Sequence, residues 1–454
     1  MSPNRQQTGA ASGLSRRRFL GTGAMAGIAG AVGAGCREEA PAGSSATPAP
    51  AAAIEDAFAG PANSEADLRG NVYTRLLGVR PHLGAHEHIT TLGGSRMPPE
   101  VMRAMVEAND YFVDMHELTA AAGEHVARIM GAEAALVTSG AFSAMLLGGA
   151  ACLTGTDRDR ANALPHPTWP KRECLIQTEH RFGYDRAYRA AGMTIVEAAT
   201  RQDVAAKINE NTAMIAVLVA VEKQREFGPP LPQDRATDHD EHVIMPEEFI
   251  DIGNRAGVPV LVDMASDLPP VENLTRFIEA GADLVTISGG KGIRGPQSTG
   301  ILAGRADLIE AARLHAAPNG NIGRGMKVGK EEIVGLIVAL DRFVALDHQA
   351  VVEGWNAKAR WIADELGDIE GLNARYAVNT VGYADVELTW DEAVFSVTAG
   401  EVRRRLKAGE PWLAYDGNTV RTRCLRDGEE VVVAQRLRRF FEVEARQPPA
   451  RPGG

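Results

Sequence analysis

Short, unbroken apolar runs recur along the middle of the chain, and helix-like segments separate many of them. The runs are rich in β-branched residues and do not alternate with polar positions, which is typical of strands buried on both faces of a sheet. Alternation of such strands with helices predicts an α/β fold with a mostly parallel sheet flanked by helices. The runs are AALVT (134–138), ECLIQT (173–178), MTIVEA (193–198), TAMIAVLVAV (212–221), VPVLVDMA (258–265), ADLVTIS (282–288) and TGILAG (299–304).

The pattern changes after a long predicted helix at residues 325–349. Short alternating strands follow, RYAVNTV and ADVELTW, then a helix at 399–408, a strand near TVRTRCL and a last helix at 428–443. This succession predicts a smaller C-terminal α+β domain. The predicted divisions are a large domain with an N-terminal arm at 70–345, the small domain at 346–445 and a disordered tail at 446–454.

Residues 1–36 have the features of an export signal. SRRRFL at 15–20 fits the twin-arginine pattern, and the apolar run behind it is too short and too rich in glycine to span a membrane. The run ends in Gly-Ala-Gly before Cys36, which suits lipoprotein processing, although Gly33 stands where leucine is usual. We predict a periplasmic protein or one anchored to the membrane by lipid. Lipidation of Cys36 stays open, and a disordered basic tail is the alternative interpretation.

Composition argues against some classes of partner and site. The formal net charge is −11, whereas nucleic-acid binders are usually basic, so no nucleic acid is expected as a partner. The 4 cysteines include no C-x-x-C pair, which gives neither a disulfide framework nor a zinc knuckle. Residues 37–69 are rich in Ala, Pro and Ser and predict a flexible linker. The segment 227–248 holds His239 and His242 among acids, and we interpret it as an exposed acidic loop in preference to a metal site.

Three groups with complementary chemistry follow strands of the predicted sheet. In open α/β sheets, ligands bind at the carboxyl ends of the strands. VPVLVDMA brings Asp263 to such an end, ADLVTISGGK brings Ser288 and Lys291, and AALVTSG brings Ser139 and Gly140 to a third, just before a helix. The spacing of Asp263 and Lys291 along the chain spans one strand, one helix and the next strand, so neighbouring strand ends hold both groups.

Each group suits one part of pyridoxal 5′-phosphate (PLP). A partly desolvated lysine amine forms a Schiff base with the aldehyde. A carboxylate beside the pyridine nitrogen keeps that nitrogen protonated, which makes the ring an electron sink. A Ser-Gly turn that opens a helix offers backbone N–H groups and a dipole end to the phosphate. Each signal alone is weak. The combination of the three groups, in this order along the chain, predicts this cofactor.

The arrangement resembles the PLP-dependent enzymes of fold type I, and more narrowly the bacterial selenocysteine synthase (L-seryl-tRNA selenium transferase) family. Within that family it is most similar to the tRNA-independent branch that includes D-glucosaminate-6-phosphate ammonia-lyase. The resemblance covers roughly residues 70–445, and SGGK followed by GPQ is its most specific part. The matching stretches are TTLGGSRMPPEVMRAM, GAEAALVTSGAFSAM, PVLVDMASDLPP, SGGKGIRGPQSTGILAGRADLI and RGMKVGKEEIVGL.

The resemblance implies roles for individual residues. Lys291 would hold the cofactor covalently and Asp263 would pair with its pyridinium. The histidine of TEH at 178–180, His180, would stack on the cofactor ring, as in the similar motif of cysteine desulfurases. The residues implied to hold the phosphate are Ser139, Gly140, Ala141 and Ser288. A homodimer or higher homo-oligomer is also implied, because such enzymes complete each site with a neighbouring subunit.

The resemblance implies loss of a β-substituent from an amino-acid-like or amino-sugar-acid substrate, as a lyase or with selenium-transferase-like chemistry. Arg421 and Arg423 lie on one face of a predicted strand, and we predict that they bind the substrate carboxylate. Nothing before residue 70 matches the tRNA-binding domain of true selenocysteine synthases, so that activity is not expected. A class V-type aminotransferase or racemase is the main alternative. A cysteine desulfurase using Cys424 and a non-catalytic binding scaffold are the others.

Overall fold

The central element of the computed structural model is a sheet of seven strands, which confirms the predicted α/β fold. The structure describes residues 63–222, 243–379, 382–415 and 418–446. Each of the seven apolar runs forms one strand, and their spatial order is β2-β8-β7-β6-β5-β3-β4. β8 is antiparallel to both of its neighbours, and the other pairs are parallel. The strands are β2 (Ala134–Thr138), β3 (Glu173–Gln177), β4 (Thr194–Ala198), β5 (Thr212–Leu218), β6 (Val260–Asp263), β7 (Leu284–Ser288) and β8 (Gly300–Gly304).

Helices cover both faces of this sheet, because its strands are apolar on both sides. The side chains of β5 show the division: Ile215 and Val217 join one hydrophobic core, while Met214 and Ala216 join the other. α4, α9, α10 and α12 contribute to the first core, and α5, α7 and α11 to the second. The helices described before residue 346 are α1 (Glu65–Arg69), α2 (Val72–Leu77), α3 (Pro99–Asn109), α4 (Met115–Met130), α5 (Gly140–Thr154), α6 (Arg158–Ala163), α7 (Arg186–Ala191), α8 (Arg201–Lys207), α9 (Pro246–Ala256), α10 (Asn273–Glu279), α11 (Ala306–His315) and α12 (Lys330–Ala345).

α5 is the helix that connects the sheet to the candidate site. It starts directly after β2 and is buried along most of its length, which matches its nearly uniform apolar sequence. Gly148 lets it approach the strands closely, since a Cβ there would lie 2.5 Å from Leu261 Cδ1. The N-terminus of α5 is thereby held at the carboxyl edge of the sheet.

The C-terminal part of the chain forms a second, smaller core. Its three-stranded antiparallel sheet has the order β12-β10-β9. β1, from the N-terminal arm, pairs in parallel with β11, so the arm belongs to this core as well. The elements are β1 (Leu83–Ala85), α13 (His348–Leu366), β9 (Leu372–Val378), β10 (Ala384–Trp390), α14 (Ala399–Ala408), β11 (Leu413–Tyr415), β12 (Thr419–Arg421), α15 (Glu429–Arg439) and a π-helical turn at Phe440–Glu444.

Several predictions concern residues that the structure does not describe. The export signal at 1–36, Cys36 and most of the linker at 37–69 lie outside the described ranges, as do His239, His242 and residues 447–454. The described end of the linker contains α1. The proposed division near residue 345 stays a prediction. Within the described ranges, no helix combines the length and apolar character needed to cross a bilayer.

Candidate active site

A cavity of about 900 Å³ opens at the carboxyl ends of the parallel strands. The turns after β2, β5, β6 and β7 each contribute to its wall, as expected for a ligand site in an open α/β sheet. Six of the predicted site residues meet here: Ser139, Gly140, Ala141, Asp263, Ser288 and Lys291. The other described residues of its wall are Thr90, Phe142, Met145, Phe182, Gly183, Tyr184, Arg186, Leu218, Ala220, Ala265, Ser266, Asp267, Gln297 and Ser298.

The N-terminus of α5 forms one end of the cavity and suits an anion. Ser139 occupies the N-cap position but its side chain makes no capping hydrogen bond, so the first N–H groups of the helix are not satisfied by it. Gly140 has a φ of +81°, a left-handed conformation that glycine adopts without strain. Gly300 in β8 packs against this turn: a Cβ there would lie 2.5 Å from Gly140 C and 2.8 Å from Ala141 N. Uncapped N–H groups and the helix dipole together favour a phosphate.

Asp263 supplies a buried carboxyl group at the end of β6. It is 2% exposed, and its Oδ1 accepts hydrogen bonds from the Ala265 N–H at 2.9 Å and the Thr286 hydroxyl at 3.3 Å. Burial raises the pKa of Asp263 to about 6, against the opposing effect of these donors and of the positive charge of Lys291. A cationic partner inside the cavity would stabilise the negative charge of this buried carboxylate.

Lys291 stands in a tight loop that follows β7. The Arg294 N–H donates to the Lys291 carbonyl at 3.0 Å, and the Gly295 N–H donates to the Gly289 carbonyl at 2.8 Å. The glycine next to the lysine is needed for packing, because a Cβ at Gly290 would overlap the backbone of Gln297. In the described part of the chain, the Lys291 amine has no hydrogen bond or ion pair. The loop therefore presents a half-buried, unengaged amine to the cavity.

These groups fit PLP. One cavity is lined by an amine without a hydrogen-bond partner among the described residues, a buried carboxyl group and an uncapped helix N-terminus. Each of the three matches a different part of the cofactor. Ser139 and Ser288 add hydroxyl groups at the ends of β2 and β7. The cavity volume leaves room for a substrate beside the cofactor.

The structure differs from the prediction for His180. The ring is 1% exposed and does not belong to the cavity wall. Its Nδ1 accepts from the Leu218 N–H at 2.9 Å, which leaves Nε2 to donate to the Ile244 carbonyl at 2.8 Å, and its ring lies edge-to-face with Phe249. Burial lowers the pKa of His180 to about 4, so the ring is neutral at pH 7. His180 thus ties β5 to the segment before α9.

The two predicted carboxylate-binding arginines also lie away from the cavity wall. Arg423 is buried and already paired: its Nε donates to Glu87 Oε2 at 2.8 Å and its Nη1 to Asp385 Oδ1 at 2.8 Å. Arg421 Nε lies 3.5 Å from the second oxygen of Asp385. Protein carboxylates that are distant in sequence therefore pair with both arginines, and binding of a substrate carboxylate by Arg421 and Arg423 stays a prediction.

Arg186, Asp267 and the aromatic pair Phe182 and Tyr184 line the cavity but are not among the predicted site residues. Arg186 is the one arginine among the described residues of the cavity wall. Its Nε donates to the Gly183 carbonyl at 2.7 Å, and its two Nη atoms have no partner among the described residues. The segment RFGYDR follows β3 at the same edge of the sheet, so the strand-end rule that found Asp263 also points to it.

Similarity to known proteins agrees with this site. No family model matches the chain. It is 33% identical over 362 residues to 5′-C-glycyluridine monooxygenase-decarboxylase of a Streptomyces species, covering 76% of this chain and 85% of that protein. It is 28% identical to D-glucosaminate-6-phosphate ammonia lyase of Salmonella typhimurium, covering 83% and 99%.

Solved structures give the same result. The structure of D-glucosaminate-6-phosphate ammonia-lyase matches with a TM-score of 0.69 at 27% identity, covering 83% of this chain and 100% of that one. Serine palmitoyltransferase from S. paucimobilis, solved with bound PLP, shares the fold at a TM-score of 0.50 and 13% identity, covering 78% and 86%. The chain therefore belongs to the PLP-dependent enzymes of fold type I, in the family of D-glucosaminate-6-phosphate ammonia lyase and L-seryl-tRNA(Sec) selenium transferase.

Proposed function

We propose that this enzyme removes a β-substituent or ammonia from an amino-sugar-acid or amino-acid-like substrate in the described cavity. The observation that carries the proposal is the convergence of Lys291, Asp263 and the α5 N-terminus on one cavity. Lys291 would hold the cofactor, Asp263 would keep the proton on its ring nitrogen, and the α5 N–H groups would bind its phosphate. The residues beside that phosphate are Ser139, Gly140, Ala141 and Ser288.

The bound cofactor supplies an electron sink for the carbanion left when a proton leaves the substrate Cα. Lys291 would hold the cofactor through its amine, and the same amine, when free, would accept the proton of the substrate Cα. Asp263 would pair with the ring nitrogen of the cofactor, and the Ala265 N–H and the Thr286 hydroxyl donate hydrogen bonds that hold its carboxylate in place. Met145, which is 1% exposed, adds an apolar side chain to the cavity wall.

Arg186 replaces Arg421 and Arg423 as the proposed partner of the substrate anion. Its free Nη atoms at the cavity wall suit a carboxylate or a phosphate. Arg186→Gln is expected to raise KM about tenfold or more with a smaller change in kcat, because a charge-assisted hydrogen bond is lost on binding. Arg189→Gln, on the same helix but outside the cavity wall, is the matched control. Equal kinetics for the two variants would remove Arg186 from the account.

The relatives support a sugar-linked amino substrate. D-glucosaminate 6-phosphate and 5′-C-glycyluridine, named in the two relatives, both join an amino group to a sugar framework. A second candidate reaction is oxidative decarboxylation, since the relative at 33% identity is a monooxygenase-decarboxylase.

A product assay on both compounds and on L-serine separates these reactions. Release of ammonia and a keto product, without oxygen uptake, is expected of the lyase. Oxygen consumption with carbon dioxide release would establish the second candidate. Amino-group transfer or racemisation without either product would favour the aminotransferase or racemase alternative, and no turnover of any amine would contradict the enzyme proposal.

We also propose a homo-oligomer and export through the twin-arginine pathway. Exposed apolar side chains support the oligomer: Phe112 is fully exposed, and Leu76 and Leu77 in α2 are more than two-thirds exposed. Sedimentation of the purified enzyme as a monomer would contradict it. SRRRFL supports export, and Cys36 supports a lipid anchor. Cell fractionation of the wild type and of an Arg16→Lys, Arg17→Lys variant, with mass measurement of the mature N-terminus, tests both.

A further inference from the structure

Two aromatic side chains in the turn after β3 belong to the cavity wall and have no role in the proposed reaction. Phe182 and Tyr184 both line the cavity, and their ring centroids lie 6.0 Å apart at an interplanar angle of 67°. Phe182 is half-buried and packs against the core of α5 and α7, whereas Tyr184 is 64% exposed. A Cβ at Gly183, between them, would meet nothing within 4 Å. The wall therefore presents an aromatic surface that the described residues leave largely uncovered.

The exposed tyrosine lies in the outer part of the cavity. Among the wall residues, Asp263 and Leu218 at the strand ends are buried, Lys291 is half-buried and Tyr184 is exposed. This rise in exposure leads from the predicted cofactor residues to the opening of the cavity. The Tyr184 ring is therefore available to the part of a substrate that extends from the reacting carbon toward solvent.

Buried contacts fix the backbone of this aromatic turn. The carboxylate of Asp185, a buried residue, accepts hydrogen bonds from the Arg181 guanidinium and from the Phe182 N–H at 3.4 Å. The Asp185 N–H donates to the Phe182 carbonyl at 3.2 Å, and Arg186 Nε donates to the Gly183 carbonyl at 2.7 Å. An aromatic side chain on a fixed backbone loses little conformational entropy when a ligand binds. The turn is thus pre-organised to present both rings to a ligand.

We propose that Phe182 and Tyr184 stack on a nucleobase, so that the substrate is a nucleoside carrying an amino-acid-like group. The nucleoside assignment rests on the proposed function, because that function places the substrate amine beside Lys291. A nucleobase has a planar π-face, and stacking of that face on an aromatic side chain contributes affinity for every base. An aliphatic amino acid or an open-chain sugar acid has no such face to cover the exposed ring. The anionic group of the substrate is left to Arg186, in the same turn.

Calorimetric titration of the PLP-loaded enzyme with uridine tests the proposal without turnover, because uridine contains a base but no reactive amine. We expect uridine to bind at least about tenfold more tightly than ribose, which lacks the base. Tyr184→Leu should weaken uridine binding about tenfold, whereas Tyr184→Phe keeps the ring and should bind within about twofold of the wild type. Tyr111→Leu is the matched control, since Tyr111 is 62% exposed and lies outside the described cavity wall.

Several results would overturn the nucleobase assignment. One is uridine binding no tighter than ribose binding, and another is equal uridine affinity in Tyr184→Leu and Tyr111→Leu. Tighter binding of D-gluconate 6-phosphate than of uridine, weakened by Tyr184→Leu, would assign the aromatic pair to a sugar acid instead. Turnover of D-glucosaminate 6-phosphate by an enzyme that does not bind uridine would contradict the nucleobase assignment alone. Tight uridine binding by an enzyme that turns over no amine would contradict the proposed function alone.

Discussion

Replacement of Asp263 by asparagine has opposite effects on the cofactor-free and the cofactor-bound enzyme. The carboxyl group is buried, and burial raises its pKa to about 6 from an ordinary value of 3.8. Asparagine keeps an oxygen that accepts the hydrogen bonds of Ala265 and Thr286, but it carries no charge. The exchange therefore removes the cost of a buried negative charge in the free enzyme and removes the pyridinium partner in the loaded one.

The size of the effect follows from the pKa shift. A folded-state pKa above the unfolded one means that the folded enzyme binds the proton more tightly. The corresponding stability is fully present below pH 4 and is lost as the pH rises through 6. A shift from 3.8 to about 6 corresponds to about 3 kcal/mol at pH 8. Cofactor-free Asp263→Asn is thus expected to be more stable than the cofactor-free wild type at pH 8 by up to about 3 kcal/mol.

Urea unfolding of cofactor-free enzyme at pH 4 and pH 8 measures this difference. From pH 4 to pH 8, the free energy of unfolding of the variant should rise relative to that of the wild type. Added PLP should raise the urea midpoint of the wild type more than that of the variant. Asp251→Asn, at an exposed position in α9, is the matched control and should follow the wild type. A variant that is less stable than the wild type at pH 8 without cofactor would refute the reasoning about the buried charge.

Two further variants test the packing around the site. Gly300→Ala pushes a methyl group against the turn at Gly140 and should weaken PLP binding, measured by equilibrium titration, at least tenfold; Gly325→Ala, where a Cβ meets nothing within 4 Å, should bind normally. Arg423→Met leaves two carboxylates without their buried partner and should lower the free energy of unfolding by about 3 kcal/mol, whereas Arg375→Met, in an exposed pair, should cost less than about 1 kcal/mol. Normal PLP binding by Gly300→Ala, or equal losses for the two arginines, would contradict these assignments.

Most of the fold prediction came from the apolar runs, because a short, unbroken apolar run is typical of a strand buried on both faces. The pairing of β1 with β11 was not predicted. Both strands have only three residues, and more than three hundred residues separate them along the chain, so no local pattern marks either one. Leu83 and Ala85 of the N-terminal arm therefore pack in the smaller C-terminal core.

Site residues that directly follow a strand could be placed from the sequence. The positions of the other residues depend on contacts between segments that are distant in sequence. Asp263 and Lys291 follow strands directly, so topology brings them together. His180 also follows a strand, but backbone groups of Leu218 and Ile244 occupy both of its nitrogens. Arg423 lies in a turn two residues beyond the end of β12, and its carboxylate partners, Glu87 and Asp385, come from two other segments of the chain. The residues next to an arginine or a histidine in the sequence do not indicate such partners.

Every role assigned to the cavity depends on covalent attachment of the cofactor to Lys291, and borohydride trapping measures that attachment. The purified, PLP-loaded enzyme is treated with borohydride, digested and mapped by mass spectrometry. We expect the yellow absorption to disappear and a phosphopyridoxyl group to appear on Lys291, and Lys291→Ala to lose that label while retaining the fold by circular dichroism. A label on a different lysine, or an enzyme that binds PLP without any borohydride-stable label, would contradict the account.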